Sequence, residues 1–296
     1  MKFATIAQAM LLAGGVEAYK KCNYSHAEVN WKKPGAVRIV FVGDKFVSGE
    51  MEAPIPTDES VFDVPDEVDG THWGYKGFPY WFGELLKEKK PKQEFEIMNF
   101  GGLDYGVKGS FWDTCDYQKS LRSVPSIVVM GFGGSEIAAL KTHEDRQKFQ
   151  NKYIALGKQY LSLDSHPQVF IMTPPSLHLS EEVPEPVAPP VLDDPIHQNR
   201  HFYSAIAMPG LISSVADGLG LPAENRIDTF TPFGGESLTE GLDLLNEDKI
   251  TPNQAGQNKI AEILYNSVIK FNNFNNHEEL YKIGRKVVQD PNPWGI

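Results

Sequence analysis

Four short stretches hold the residues best suited to chemistry. Gly43, Asp44 and Lys45 stand in residues 36–50, AVRIVFVGDKFVSGE, with Ser48 three positions further on. Met98-Asn99-Phe100-Gly101-Gly102 leads to Asp104 and Gly106, and residues 128–136, VVMGFGGSE, end in Ser135 and Glu136. Asp248-Lys249-Ile250-Thr251-Pro252-Asn253 lies near the end. Groups of this kind suit acyl transfer, which needs a nucleophile, a base, a carboxylate that orients the base, and donors for the oxyanion. His143, His166, His178, His197 and His201 are all distant in sequence from the Asp248 block.

The elements that position these residues can be read from hydrophobic patterning. Val37, Ile39, Val40, Phe41 and Val42 form a near-continuous apolar run, the pattern of a strand buried on both faces of a parallel sheet. Gly43 permits a sharp exit and Gly49 a second turn, so Asp44 and Lys45 fall at the carboxyl edge, where open α/β sheets place ligands. Residues 94–99, 126–130, 168–172 and 226–229 read as further strands. Helices are expected after the aromatic group Trp73, Tyr75, Phe78, Tyr80, Trp81 and Phe82, and then over 111–120, 142–163, 200–219 and 251–271. The last begins with Thr251 as cap and Pro252 in its first turn. The aromatic group suits core packing or, as the rival reading, a carbohydrate platform. This alternation predicts a three-layer α/β sandwich, flavodoxin-like, with about five parallel strands and helices on both faces.

The four blocks, in this order over about 38–271, resemble the SGNH (GDSL-type) hydrolases. The resemblance implies a serine nucleophile where this chain has Lys45, an oxyanion glycine at Gly102, a donor asparagine at Ser135, and an Asp-x-x-His pair at Asp248 and Thr251. A lysine protonated at neutral pH cannot attack an ester, and threonine has no titration near neutrality with which to act as a base. Asp104 sits near the expected second glycine, where an acid would repel an oxyanion, and Gly106 serves only if the loop is shifted. The expectation is a degenerate, non-catalytic member with no cofactor and no metal. Lys45 should pair with Asp248 or Asp104 in a vacated site, unless a flap histidine rescues catalysis.

At 296 residues the chain suits one α/β domain over 36–271, with a Pro-rich flap at 174–199, a lead-in at 1–35 and a tail at 272–296. A net charge of −11 leaves no basic stripe for nucleic acid. Residues 3–16 are modestly apolar and end near a small-residue site. They read equally as a cleaved secretory signal, with Asn23 in a glycosylation sequon, or as a retained docking helix with affinity for a membrane. The first places the protein in the secretory route, the second in an organellar, for example mitochondrial, membrane-associated assembly. Cys22 and Cys115 make one bridge in an oxidising compartment or two buried thiols in a reducing one. The lead-in, flap and tail are the surfaces expected to meet partner subunits.

Overall fold

The computed structural model describes residues 36–49, 76–103, 105–140, 142–176, 208–237, 240–248 and 250–269. The N-terminal stretch, most of the flap, the tail, Trp73, Tyr75, Asp104, Cys22, His178, His197 and His201 lie outside them. Each of the five apolar runs forms a strand: β1 Val37–Gly43, β2 Phe95–Gly101, β3 Ile127–Gly131, β4 Gln168–Thr173 and β5 Arg226–Asp228. They pair in the order β2-β1-β3-β4-β5, all parallel. Every residue of β1 and β3 is buried, as expected of central strands covered on both faces.

Alternation along the strands sends side chains into two cores. Val40, Val42, Val128, Met130, Val169 and Ile171 face α3 (Cys115–Arg122), α4 (His143–Leu161) and α5 (Met208–Gly218). Ile39, Phe41, Ile127, Val129 and Phe170 face α2 (Phe78–Lys89) and α6 (Gln254–Leu264). Phe78, Phe82 and Leu86 recur every fourth residue of α2 and are at most 1% exposed. The rings of Phe78 and Phe82 each meet Phe41 edge-on at 5.7 Å, so the described aromatic residues of this stretch serve mainly the core. Thr142 and Asp145 close a capping box at the start of α4, which then buries Phe149, Tyr153, Leu156 and Tyr160 against the other face.

Two local expectations change. Asn253, not Thr251, caps α6: its side chain accepts from the Gly256 amide at 3.0 Å, while the Thr251 hydroxyl is turned back to Asp248. Pro252 falls before the helix, bridged to Leu245, and α6 ends in a π turn over Tyr265–Ile269. The element at 111–120 is split into a short 3-10 turn, Phe111–Asp113, and α3, because Thr114 breaks out to extended backbone and caps the second piece. Cys115, at the start of α3, is disulfide-bonded, and Cys22 is the chain's other cysteine. No helix of the described residues is long and apolar enough to cross a membrane.

Candidate active site

The strand order reverses between β1 and β3, so their carboxyl ends flank the crevice in which folds of this type bind ligands. Three glycines meet there in register: Gly101, Gly43 and Gly131 end β2, β1 and β3 side by side. Against them packs α1, Lys45–Ser48, with Val47 as the wedge. A Cβ on Gly43 would stand 2.2 Å from the Gly131 carbonyl oxygen and 2.3 Å from Val47, and one on Gly101 2.5 Å from the Ser48 nitrogen. The short helix reaches this position only because the row has no side chains. Asn99 fastens it, donating to the Val47 and Ser48 carbonyls at 2.9 and 3.0 Å while accepting from the Gly101 amide at 3.0 Å.

Asp44 links the first block to the third. One carboxylate oxygen accepts from the Phe46 amide at 3.1 Å, the other from the Ser135 amide at 2.8 Å. Burial pushes the carboxyl up to about 6, against these bonds, the nearby Lys45 charge and a bond from the Gly133 backbone. Glu136 links the third block to the second. Its two oxygens accept from the Val107 and Lys108 amides at 3.0 and 3.1 Å, and burial pushes it up to about 7. Gly106 lies close enough that a Cβ there would sit 3.1 Å from the Glu136 carboxyl. Beneath, the buried Tyr153 hydroxyl accepts from the Phe132 amide at 3.2 Å.

The last block is self-contained. Asp248 accepts from the Ile250 and Thr251 amides, each at 2.8 Å, and from the Thr251 hydroxyl. Desolvation pushes its carboxyl up, but these bonds and the charge of Lys45 outweigh it, so the net shift is down. Lys45 thus acts on Asp248 through its charge. The expected ion pair is nevertheless not formed with Asp248. The Lys45 ammonium instead lies over the Phe46 ring, 5.2 Å from its centre. Asp248 has already filled its oxygens locally, which removes the incentive for the lysine to reach it.

Lys45, Leu103, Tyr105, Gly106, Lys108, Gly109, Ser110, Ser135 and Glu136 line an open cleft of about 540 Å³. Of the five positions to which the SGNH resemblance assigns a role, Lys45, Gly102, Ser135, Asp248 and Thr251, two line this cleft, Lys45 and Ser135. The Gly102 amide donates to the Gly43 carbonyl at 3.2 Å and so is committed to the sheet edge. Thr251 is 6% exposed and tied to Asp248. Ser48, fully buried, donates to the Lys45 carbonyl at 3.0 Å and does not enter the cleft. His143 and His166 are exposed, and neither lines the cleft. Among the described residues no cluster suited to a metal is present. Glu136 and Asn99 are organising residues to which sequence reasoning gave no role. Glu136 carried one signal, a carboxylate directly after the strand-end sequence Gly133-Gly134-Ser135.

No protein-family model matches the chain, and no curated protein matches it. Solved structures do match. The acetylxylan esterase Axe2 of Geobacillus stearothermophilus superposes with a TM-score of 0.53 at 15% identity, over 81% of this chain and 98% of that one. A catalytic mutant of the same esterase gives 0.54 at 14%, over 80% and 96%. LAE5, an alpha/beta hydrolase enzyme from the metagenome of Lake Arreo, Spain, gives 0.50 at 17%, over 80% and 98%. The chain thus has the three-layer α/β fold of these hydrolases, as its resemblance to the SGNH type implied.

Proposed function

We propose that this chain is a non-catalytic protein on an SGNH-type hydrolase scaffold, a pseudoenzyme serving as a structural or accessory subunit of a larger assembly. The observation that carries this reading is the closed pairing of Asp248 with Thr251 beside a lysine at the nucleophile position. In the acetylxylan esterase, catalytic mutants fall on a serine, an aspartate and a histidine, the last two three residues apart. Here the residue three after Asp248 is Thr251, which has no proton to exchange near neutrality. Gly102, the expected oxyanion donor, spends its amide on Gly43. The nucleophile and base positions thus hold other residues, and the expected oxyanion amide is engaged elsewhere. Assembly would proceed through the lead-in, the Pro-rich flap and the tail, with residues 3–16 able to associate with a membrane.

The disulfide at Cys115 favours a second reading, a secreted or lumenal esterase or carbohydrate-binding protein with an atypical site. One pair of measurements separates them. The non-catalytic reading expects no turnover of short-chain aryl esters above buffer, and elution of the native protein in a large assembly. Turnover that is abolished by Lys45→Met, from a protein eluting as a monomer or dimer, would replace it with the second.

A further inference from the structure

We propose that the cleft between β1 and β3 is a binding site for a small organic anion, a carboxylate or a phosphate monoester, held between the Lys45 and Lys108 ammonium groups. The proposal rests on the non-catalytic reading in one respect: Lys45 serves as a fixed cation and not as a nucleophile.

Three observations point to it. The first is charge placement. The chain carries a net charge of −11, yet among the described residues two half-buried lysines, Lys45 and Lys108, line this cleft. Elsewhere Lys87, Lys89, Lys148 and Lys259 each meet a glutamate of their own helix. Among the described residues Lys45 and Lys108 have no such partner and donate no side-chain hydrogen bond. Glu136, the carboxylate among the described residues of the cleft lining, does not supply one: its two oxygens accept from the Val107 and Lys108 amides. Two lysines line one concavity and neither forms an ion pair there, so an incoming anion can take up both ammonium groups, which Asp44, Asp248, Glu136 and Asp145 reach only as more distant charges.

The second observation is the wall. Tyr105 donates its hydroxyl to Asp116 at 2.6 Å, and its ring leans on Phe111 at 5.5 Å between centres, so a fixed ring edges the cleft. Leu103, 47% exposed, stands at the same rim and is one of only two large apolar side chains so exposed among the described residues. An apolar rim beside two cations suits an anion with an organic body better than a bare inorganic ion. The third is position and size. The cleft lies at the switch point of the sheet, and about 540 Å³ is within the usual range for small-molecule sites. Ser135, exposed in the cleft, adds a hydroxyl that can donate to the anion.

Isothermal titration of the full chain at low ionic strength tests this with benzoate, phenyl phosphate, inorganic phosphate and neutral benzyl alcohol. Saturable binding of benzoate or phenyl phosphate, weakened by added salt, with none for benzyl alcohol, is expected. Whichever of the two binds more tightly identifies the head group. Lys45→Met and Lys108→Met should each weaken binding about tenfold, the loss of one charged hydrogen bond. Lys152→Met, on the surface over Trp112, should bind as the parent does. Failure of every anion to saturate, equal binding of benzyl alcohol, or parent-like affinity in both cleft variants with unchanged unfolding midpoints would overturn the proposal. Inorganic phosphate binding as tightly as phenyl phosphate would overturn the part assigned to Leu103 and Tyr105. Phenyl acetate turnover is followed on the same samples. Turnover with anion binding intact would remove the non-catalytic reading and leave the anion site standing.

Discussion

Asp44 and Asp248 make the same local turn and end in opposite electrostatic states. Each accepts the amide two residues ahead, from Phe46 or from Ile250, the habit of an aspartate at a turn. Asp44, 1% exposed at the sheet edge, is pushed up to about 6 by burial. Asp248 lies at the surface, where hydrogen bonds and the Lys45 charge outweigh desolvation, and its carboxyl is held down. Depth, not the turn motif, decides which aspartate binds the scaffold together. Asp44 joins two blocks distant in sequence, whereas Asp248 joins only its neighbours.

The largest expected effect breaks the comparison directly. Asp44→Ala leaves the Phe46 and Ser135 amides without their acceptor in a buried place and should cost about 2–4 kcal/mol in denaturant unfolding. Asp248→Ala removes an exposed side chain whose place water can take, and should cost about 1 kcal/mol, since the expected ion pair with Lys45 is not made. Equal losses in the two variants would show that depth is not the distinction.

The next effect is a pH profile. Both Asp44 and Glu136 have folded pKa values above their unfolded ones, so between about pH 4 and 7 the folded protein holds protons that the unfolded chain has lost. Stability therefore falls as pH rises through that window. Moving from pH 7.5 to 5.5 should raise the unfolding free energy by on the order of 2 kcal/mol. Asp248, held down, acts with the opposite sign: its contribution is present above its unfolded pKa and is lost as the pH falls through the lower folded one. Urea midpoints across this range that are flat or rise with pH would refute the assignment. Glu136→Gln sharpens it. It should remove the larger part of the slope while costing about 1 kcal/mol at pH 5.5, where one of the two loop amides loses its acceptor.

The smallest expected effect is on catalysis. Lys45→Ser with Thr251→His restores the residue types that the SGNH resemblance calls for, yet ester turnover should barely exceed buffer. The Gly102 amide remains bound to Gly43, and Thr251 occupies a buried position with little room for an imidazole. Adding Ser135→Asn should improve the double variant, because members of such a site contribute little until the others are present. Robust turnover in the double variant, unchanged by the third substitution, would mean that oxyanion donors are already in place.

Much of this architecture was legible before any coordinates. The continuous apolar runs of β1, β3 and β4 allow no other reading in an alternating α/β chain. The spacing of Phe149, Tyr153, Leu156 and Leu161 places α4 to within two residues of its ends. The site was legible only as a set of blocks. Which amide each carboxylate would hold was not, because Glu136 reaches Val107 and Asp44 reaches Ser135 across 29 and 91 positions of sequence. Thr251 has the sequence position of a helix cap, but Asp248, three residues before it, takes its hydroxyl and leaves Asn253 to open α6.

The glycine row under α1 has a kinetic consequence. A helix of four residues has no standing of its own in water. Here Val47 sits among three strand ends, and the Phe46, Val47 and Ser48 amides are all held by Asp44. The turn is wedged by Val47 against Gly43, Gly101 and Gly131 and fastened by Asn99, so its unwinding must first unseat Val47 from three strand ends. Their amide hydrogens should therefore exchange with deuterium as slowly as those of the central strands, by the global route, although the cleft begins one residue away.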